Sequence, residues 1–234
     1  MMLDRLQALA DRLAAVKHLV WKLVLGGAML SAASAAFGYL VLGSGQQHQL
    51  FRDAGPISLL SVLQTLTVAV LGLMISRREP RHGDWRDYNN FWFLAGVGFL
   101  VLSFDALTDL HGVVGGLLDA HTAIEPRFGF HRVSDAIIGL YMLLGMGVTL
   151  IHIRQLLANP DALGYFTVGA GLVLGMIIFD GFREQTSWNW VVEETLKVFA
   201  GSFFVGSFVA RYRWEQQDTT APEDAPSTRH LSTA

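Results

Sequence analysis

The chain lacks cysteine and is poor in charge, since only 16% of its 234 residues are Asp, Glu, Lys or Arg. The absence of cysteine excludes a disulfide scaffold, a Cys-ligated zinc or iron–sulfur centre and thiol catalysis. The net charge of −3 and the pI near 6.2 provide no basic surface of the kind that binds nucleic acid. Apolar residues are abundant instead, at 52% of the chain with a mean hydropathy of +0.39.

Six apolar runs are long enough to cross a bilayer, some of them with help from flanking small and polar residues. The runs lie at 19–42, 57–76, 91–104, 136–151, 163–179 and 191–210. A spanning helix needs about 20 residues, so six runs leave little of the chain for a soluble domain. The sequence predicts an all-α fold, a polytopic membrane protein with six transmembrane helices over residues 18–215. Its first partner is the lipid bilayer.

The two ends of the chain have a different composition. Residues 1–17 place leucines at helical spacing, which predicts an interfacial amphipathic helix or, equally, an extension of the first span. Residues 216–234 are rich in Thr, Ser, Pro, Asp and Glu and have almost no large apolar side chain. Such a segment cannot offset its ordering entropy by burial, so we expect a disordered cytoplasmic tail.

Lys and Arg residues indicate the orientation, because short positively charged loops stay in the cytoplasm. They cluster at the start of the chain, between the second and third runs, after the fourth run and after the sixth. The segments 43–55, 106–132 and 181–190 carry fewer and are predicted to face outward. We therefore expect a bacterial inner (cytoplasmic) membrane protein with both termini in the cytoplasm.

A weak internal repeat relates two of the apolar blocks. Residues 96–105 align with residues 171–180, so that Asp105 falls on Asp180. Spans three and four would then repeat as spans five and six in the same orientation, as in parallel-repeat membrane folds. Chance similarity between apolar helices is the alternative explanation.

Polar residues three or four apart recur at the outward ends of spans three to six. The pairs are Asp105 and Asp109, Asp180 and Glu184, His131 and Asp135, and Glu194 and Lys197. Residues at this spacing share a helix face, so four helices would each present one pair at one membrane level. Helix caps explain Asp135 and Glu194 equally well, because a helix N-terminus favours acids. Asp105 and Asp180 lie near helix C-termini, where an anion is disfavoured and needs another partner.

Carboxylates and imidazoles together suit zinc, copper, iron or manganese, and helix bundles build such sites from facing side chains. The sequence therefore predicts a site for a divalent or transition metal ion. The predicted ligands are Asp105, Asp109, His111, His131, Asp135, Asp180, Glu184 and Glu194. For the two aspartates the alternative is a buried ion pair with a neighbouring arginine or with Lys197.

Three short stretches carry a resemblance to a known group. They are Phe104-Asp105-Ala106, Asp109-Leu110-His111-Gly112 and Glu193-Glu194-Thr195-Leu196-Lys197. With them, residues 91–213 resemble a widespread group of uncharacterised bacterial multi-span membrane proteins whose pattern is Leu-Asp-Glu, then His-Glu, then Glu-Glu-x-Leu-Glu. Ala106, Gly112 and Lys197 replace three acids of that pattern. The resemblance implies the membrane architecture and implies no activity.

A second resemblance concerns Trp190, which is followed by Glu193-Glu194, together with Asp109, His121 and His131. These residues are similar to features of the C subunit of particulate methane and ammonia monooxygenases. That resemblance implies an outward copper site and oxygen chemistry. The Asp-x-x-x-His spacing of that family is absent here.

Three functions follow from these observations. The first is an integral membrane protein with an outward-facing carboxylate and His site that binds a metal ion, in one form a metal-dependent membrane enzyme. The second is proton or cation transport, with Asp105, Asp180 and Lys197 as a relay. The third is a non-catalytic subunit of a complex with other membrane subunits, in which the charged groups only form ion pairs.

Overall fold

The computed structural model describes residues 2–42, 50–51, 55–78, 90–121, 133–181 and 187–218. These residues form helices and no strand, so the predicted all-α class is confirmed for the described part of the chain. The helices are α1 (Met2–Phe37), continued by a π-helix (Gly38–Leu42), α2 (Pro56–Arg78), α3 (Asn90–Thr108), α4 (Leu110–His121), α5 (Val133–Ile151), α6 (Ile153–Leu157), α7 (Pro160–Gly181) and α8 (Ser187–Asp218).

Four helical segments in the described residues are long and apolar enough to cross a membrane. They are Ala15–Leu42, Pro56–Arg78, Asn90–Thr108 and Pro160–Phe179. The apolar part of α5 is shorter, at Ala136–Ile151, and α8 has ample length at 32 residues but is more polar. The predicted runs at 136–151 and 191–210 fall on these two helices, and their crossing of the membrane stays a prediction.

Helix α8 lies in the centre of the bundle, where it packs against α1, α2 and α7. Helix α2 runs parallel to it, because Ser58 hydrogen-bonds to Glu194 and, farther along both helices, Gln64 hydrogen-bonds to Ser202. In this position the side chains of α8 meet other helices, and Ser202 and Ser207 are fully buried. Its central place therefore explains why α8 is less apolar than the helices around it.

The helices around α8 and α2 run in the opposite direction to them. Val20 of α1 packs on Gly206, while Gly27, later in α1, packs on the earlier residue Val198. Ser207 donates a hydrogen bond to the carbonyl of Ala162 near the start of α7.

Helix α3 runs antiparallel to α2, because Ser103 bonds to Thr65 while the earlier residue Gly96 packs on the later residue Gly72. The start of α3 in turn meets the end of α5, where Phe91 packs on His152. Consecutive long helices of the described residues therefore alternate in direction.

The two ends of the bundle differ in charge. We call the end that holds Ser58, Asp105 and Glu194 the acidic end, and the end that holds Arg78 and Arg211 the basic end. At the basic end Arg78 donates a hydrogen bond to the hydroxyl of Tyr212 across α2 and α8, at 2.7 Å. Arg211 is buried and bonds through Nε to Oε1 of Glu215 at 3.0 Å.

A layer of aromatic rings fills the half of the bundle nearer the basic end. Trp92 packs edge-to-face on Phe208 with ring centroids 5.1 Å apart, and Phe99 and Phe166 pack on Phe204 at 5.0 and 5.3 Å. Edge-to-face pairs are favourable because the positive ring edge meets the negative ring face. These rings join α3, α7 and α8 into one packed core.

Large apolar side chains are exposed on the outside of the bundle. Met29 and Leu40 on the first segment are 73% and 77% exposed, and Leu143 and Leu150 of α5 are 61% and 62% exposed. Apolar exposure on this scale is uncommon for a protein surrounded by water. Together with the long apolar helices, it indicates a membrane protein whose outer surface faces lipid.

The segment 106–132, predicted as an outward loop, contains regular structure. Residues 106–108 complete α3, and Leu110–His121 form α4, which packs on α5. A Cβ atom at Gly115 would lie 2.7 Å from the backbone nitrogen of Ser134, so glycine permits this close packing. The prediction of a loop was wrong here because a 12-residue apolar helix is too short to stand out as a span.

The terminal segments and the repeat stay predictions. Helix α1 is continuous from Met2 to Phe37, so the amphipathic start and the first span share one helix, and the interfacial position of residues 1–17 is untested. Helix α8 extends to Asp218, and the rest of the predicted tail lies outside the described residues. As for the repeat, α7 packs along α8, whereas α3 packs mainly on α2 and α5 mainly on α4.

We expect Gly72→Ala to destabilise the protein. A Cβ atom at Gly72 would lie 2.8 Å from the carbonyl oxygen of Trp92 and 2.9 Å from Cα of Gly96, and backbone atoms cannot move aside cheaply. Overpacking of this kind costs about 1–3 kcal/mol. The midpoint of thermal unfolding in detergent measures the loss. Gly98→Ala is the matched control, because open space surrounds its Cβ position, and equal effects of both substitutions would contradict the close approach of α2 and α3.

Candidate functional site

A tight corner joins α3 to α4 at the acidic end. Helix α3 ends at Thr108, Asp109 takes a left-handed backbone conformation with φ of 50°, and α4 begins at Leu110. Aspartate tolerates this region better than most residues. The expectation that Asp105 and Asp109 share one helix face is therefore wrong, because the helix ends between them.

Asp105 is buried at this corner and is fully engaged by His111. One carboxylate oxygen accepts the backbone N–H of His111 at 2.8 Å, and the other lies 2.9 Å from Nδ1 of the same residue. The N-terminus of α4 favours a negative charge, so it offsets the unfavourable position of Asp105 at the C-terminus of α3. Among the described residues Asp105 makes no ion pair with Lys197, which bonds elsewhere.

Asp109 approaches the other side of the same imidazole. Its Oδ1 lies 3.7 Å from Nε2 of His111, and its side chain is 47% exposed. Gly112, in the first turn of α4, leaves the space that the carboxylate occupies, because a Cβ atom there would collide with it. The corner thus places carboxylates on both nitrogens of one histidine. We call Asp105, Asp109 and His111 the corner site.

The hydrogen bonds of His111 determine what its ring can do. In the neutral tautomer whose Nδ1–H donates to Asp105, the lone pair of the ring is on Nε2, on the side of Asp109. The side chain of His111 is about one-quarter exposed, at 24%. An imidazole oriented in this way by a carboxylate is typical of metal sites and of general bases.

A second charged cluster lies at the start of α8. Lys197 Nζ contacts Oε1 of Glu193 at 2.7 Å and Oε1 of Glu194 at 2.6 Å. The second oxygen of Glu194 accepts a hydrogen bond from Ser58 of α2 at 3.1 Å. The expected proximity of Glu194 and Lys197 is confirmed, and it takes the form of an ion pair.

The two clusters lie at different depths along α2. Ser58 marks the level of Glu194, whereas Thr65, seven residues deeper, accepts a hydrogen bond from Ser103 at 2.8 Å. Asp105 lies only two residues beyond Ser103 toward the acidic end. At about 1.5 Å of rise per residue, Asp105 lies about 7 Å deeper than Glu194. The structure therefore does not bring Glu194 to the corner site.

The other predicted ligands lie on or beside the same helices. Asp135 is in α5 and Asp180 is in α7, with side chains outside the described residues, and His131 and Glu184 lie wholly outside them. Within the described ranges, no three His, Asp or Glu side chains have the arrangement of a complete metal site. The metal ion and these four ligands stay predictions.

The pattern of ionisable pairs does not mark the serines of α2 that lie near α8. Ser58 bonds to Glu194, Gln64 bonds to Ser202, and Ser61 lies between them on the same helix. Positions 58, 61 and 65 recur at a spacing of three and four, which places them on one helix face. The hydroxyl groups at this spacing are the signal in the sequence that marks Ser58, Ser61 and Thr65 as one polar face, which bonds to α8 through Ser58 and to α3 through Thr65.

Comparison with known proteins identifies one matching family. No curated protein and no solved structure is significantly similar to the chain. A family model described as "Domain of unknown function (DUF8692)" matches residues 23–211, which include the corner site and the Glu193, Glu194 and Lys197 cluster. Because the match covers most of its length, the chain belongs to this DUF8692 family.

Proposed function

We propose that the protein is an integral membrane protein that binds a divalent or transition metal ion at the corner site. His111 Nε2 and the carboxylate of Asp109 are the ligands, and Asp105 orients the imidazole. The observation that carries the proposal is the hydrogen bond from His111 Nδ1 to Asp105, which leaves Nε2 facing Asp109. Carboxylate–histidine–metal arrangements have this form.

The separation of the two ligand atoms supports the proposal. A zinc ion lies about 2.0–2.2 Å from His nitrogen and carboxylate oxygen, so tetrahedral ligands are about 3.4 Å apart. Nε2 of His111 and Oδ1 of Asp109 are 3.7 Å apart, and a small rotation of the half-exposed Asp109 closes the difference. Water, or the predicted ligands His131 and Asp180, completes the coordination.

A metal with an open coordination position supplies chemistry to such a site. It lowers the pKa of bound water or polarises a carbonyl or phosphoryl oxygen. The corner site lies at one end of apolar helices, where lipid-like substrates are concentrated. A metal-dependent membrane enzyme acting on an apolar substrate is therefore the form of the function that we favour.

For the membrane topology we infer six spans, with both termini in the cytoplasm of a bacterial inner membrane. The alternating directions of the long helices support this arrangement, as does the collection of Arg78 and Arg211 at one end. The acidic end with the corner site would then face outward. A parallel repeat of spans three and four as five and six belongs to the same proposal.

Single-cysteine labelling tests this topology, because the wild-type chain has no cysteine and gives no background. We expect Ser44→Cys to react with a membrane-impermeant maleimide added to intact spheroplasts. Ser227→Cys should react only after permeabilisation. Labelling of both thiols in intact spheroplasts, or of Ser227→Cys alone, would contradict the proposed orientation.

The metal proposal predicts a metal content that depends on the corner site. We expect protein purified without a His-tag to contain near-stoichiometric metal by inductively coupled plasma mass spectrometry, and His111→Ala and Asp109→Asn to lose it. Asp105→Asn should weaken metal affinity about 10–100-fold, the usual effect of removing a carboxylate that orients a ligand.

His121→Ala is the matched control, because His121 is an exposed histidine of the same helix whose Nδ1, among the described residues, bonds to the carbonyl of Leu117. It should retain the wild-type metal content. If the corner site only caps α4, Asp105→Asn will lower the thermal stability of the protein. The metal content will then be equal in all four variants. That result would refute the metal site.

A further inference from the structure

Oxygen atoms line the contact between α2 and α8 below the Glu194–Lys197 pair. Ser58 donates to Oε2 of Glu194 at 3.1 Å, and farther into the bundle the amide nitrogen of Gln64 donates to Ser202 at 3.0 Å. Ser61 lies between these two hydrogen bonds on α2. We call Ser58, Ser61, Gln64, Glu194 and Ser202 the α2–α8 seam.

Two seam oxygens are buried without a hydrogen-bond partner among the described residues. They are Oγ of Ser61 and Oε1 of Gln64, whose residues are 9% and 4% exposed. Ser61 follows Ser58 by three residues on one helix face. The amide oxygen of Gln64 lies against Gly201 of α8, where a Cβ atom would collide with it. Both atoms therefore point into the seam, although buried oxygens are normally satisfied.

Helix α1 adds a third such oxygen at the level of Glu194. Gly27 packs on Val198, and α1 runs antiparallel to α8, so Ser31 lies level with Glu194. The Oγ atom of Ser31 is also buried without a partner among the described residues. Helices α1 and α2 thus contribute hydroxyl oxygens at the end of α8 that holds this carboxylate.

Negative charge exceeds positive charge among the described residues of this region. Two carboxylates, of Glu193 and Glu194, share the single ammonium group of Lys197. An unpaired charge inside a membrane protein is costly, so one further positive charge stabilises the cluster. A carboxylate with hydroxyl oxygens, and without imidazole or thiolate, suits a hard cation.

From this geometry we propose a sodium site between Glu194 and the hydroxyl oxygens of Ser58, Ser61 and Ser31. Gln64 lies about 9 Å deeper than Ser58 along α2 and is not a ligand of this ion. One Na⁺ beside Oε2 of Glu194 adds a second positive charge to the cluster that Lys197 shares with Glu193 and Glu194. The cation also supplies the partner that Ser61 and Ser31 lack among the described residues. The site uses no residue of the corner site, so it stands or fails separately from the proposed metal function.

The test uses the full-length protein in nanodiscs. Binding of ²²Na⁺ gives the half-saturating Na⁺ concentration, and thermal unfolding is compared in sodium, potassium and choline chloride at equal ionic strength. We expect Na⁺ to raise the unfolding temperature more than K⁺ or choline does. Ser61→Ala should raise the half-saturating concentration about fivefold, as expected for the loss of one oxygen contact, and Glu194→Gln should abolish binding.

Ser76→Ala is the matched control, because Ser76 is a buried serine of the same helix that donates to the carbonyl of Leu73. It should bind Na⁺ as the wild type does. Ser61→Ala removes a hydroxyl without a partner, so the variant should fold. Equal Na⁺ binding by Ser61→Ala and Ser76→Ala would overturn the proposal, as would a wild type that shows no preference for Na⁺.

Discussion

The parallel contact between α2 and α8 is the interaction on which the positions of both polar clusters depend. Lipid surrounds apolar helices as favourably as another helix does, so small residues and hydrogen bonds set how membrane helices pack. Here the bonds from Ser58 to Glu194 and from Gln64 to Ser202 fix the register of α8 on α2. Helix α3 then packs on the other face of α2 through Gly72, which sets the depth of Asp105. A shift of this register by one turn would separate Ser58 from Glu194 and leave the carboxylate with Lys197 alone.

The half of the bundle nearer the basic end and the half nearer the acidic end are filled by different kinds of side chain. Toward the basic end, the rings of Trp92, Phe204 and Phe208 fill the space between helices, and Arg211 is held by Glu215 and by the faces of two tryptophans. Toward the acidic end, a smaller apolar cluster around Phe51 and Val198 lies beside polar side chains that bond across helices. Close-packed aromatic layers resist deformation, whereas hydroxyl and carboxylate groups can exchange partners. The rigid half therefore anchors the helices, and the polar half is the part suited to binding.

The sequence indicates where the helices and the ionisable residues are. It indicates less well which of these residues meet in the folded protein. Apolar runs locate every long helix, and α8 was found even though its serines and terminal ion pairs lower its hydropathy. The break after Thr108 was not predictable, because no glycine or proline lies at the position where the chain turns, which is Asp109. The spacing of three between Glu194 and Lys197 suffices to predict their contact, since it is local to one helix. The depth of Asp105 relative to Glu194 depends on which helices pack together, and no single-helix pattern contains that information.

The contrast between the two clusters follows from how completely each carboxylate is satisfied. Asp105 has both oxygens engaged by His111, one with the backbone and one with the ring, so its charge is stabilised without any ligand and the ring is held in one orientation. The atom at the corner that can still bind a ligand is therefore a nitrogen, Nε2 of His111. Imidazole nitrogen favours metal ions of borderline softness. In the α2–α8 seam the buried atoms without a partner among the described residues are oxygens of Ser61 and Gln64, and oxygen ligands favour a hard cation. The same need to pair polar groups in a low-dielectric environment thus underlies both proposed sites and the different selectivity that we propose for each.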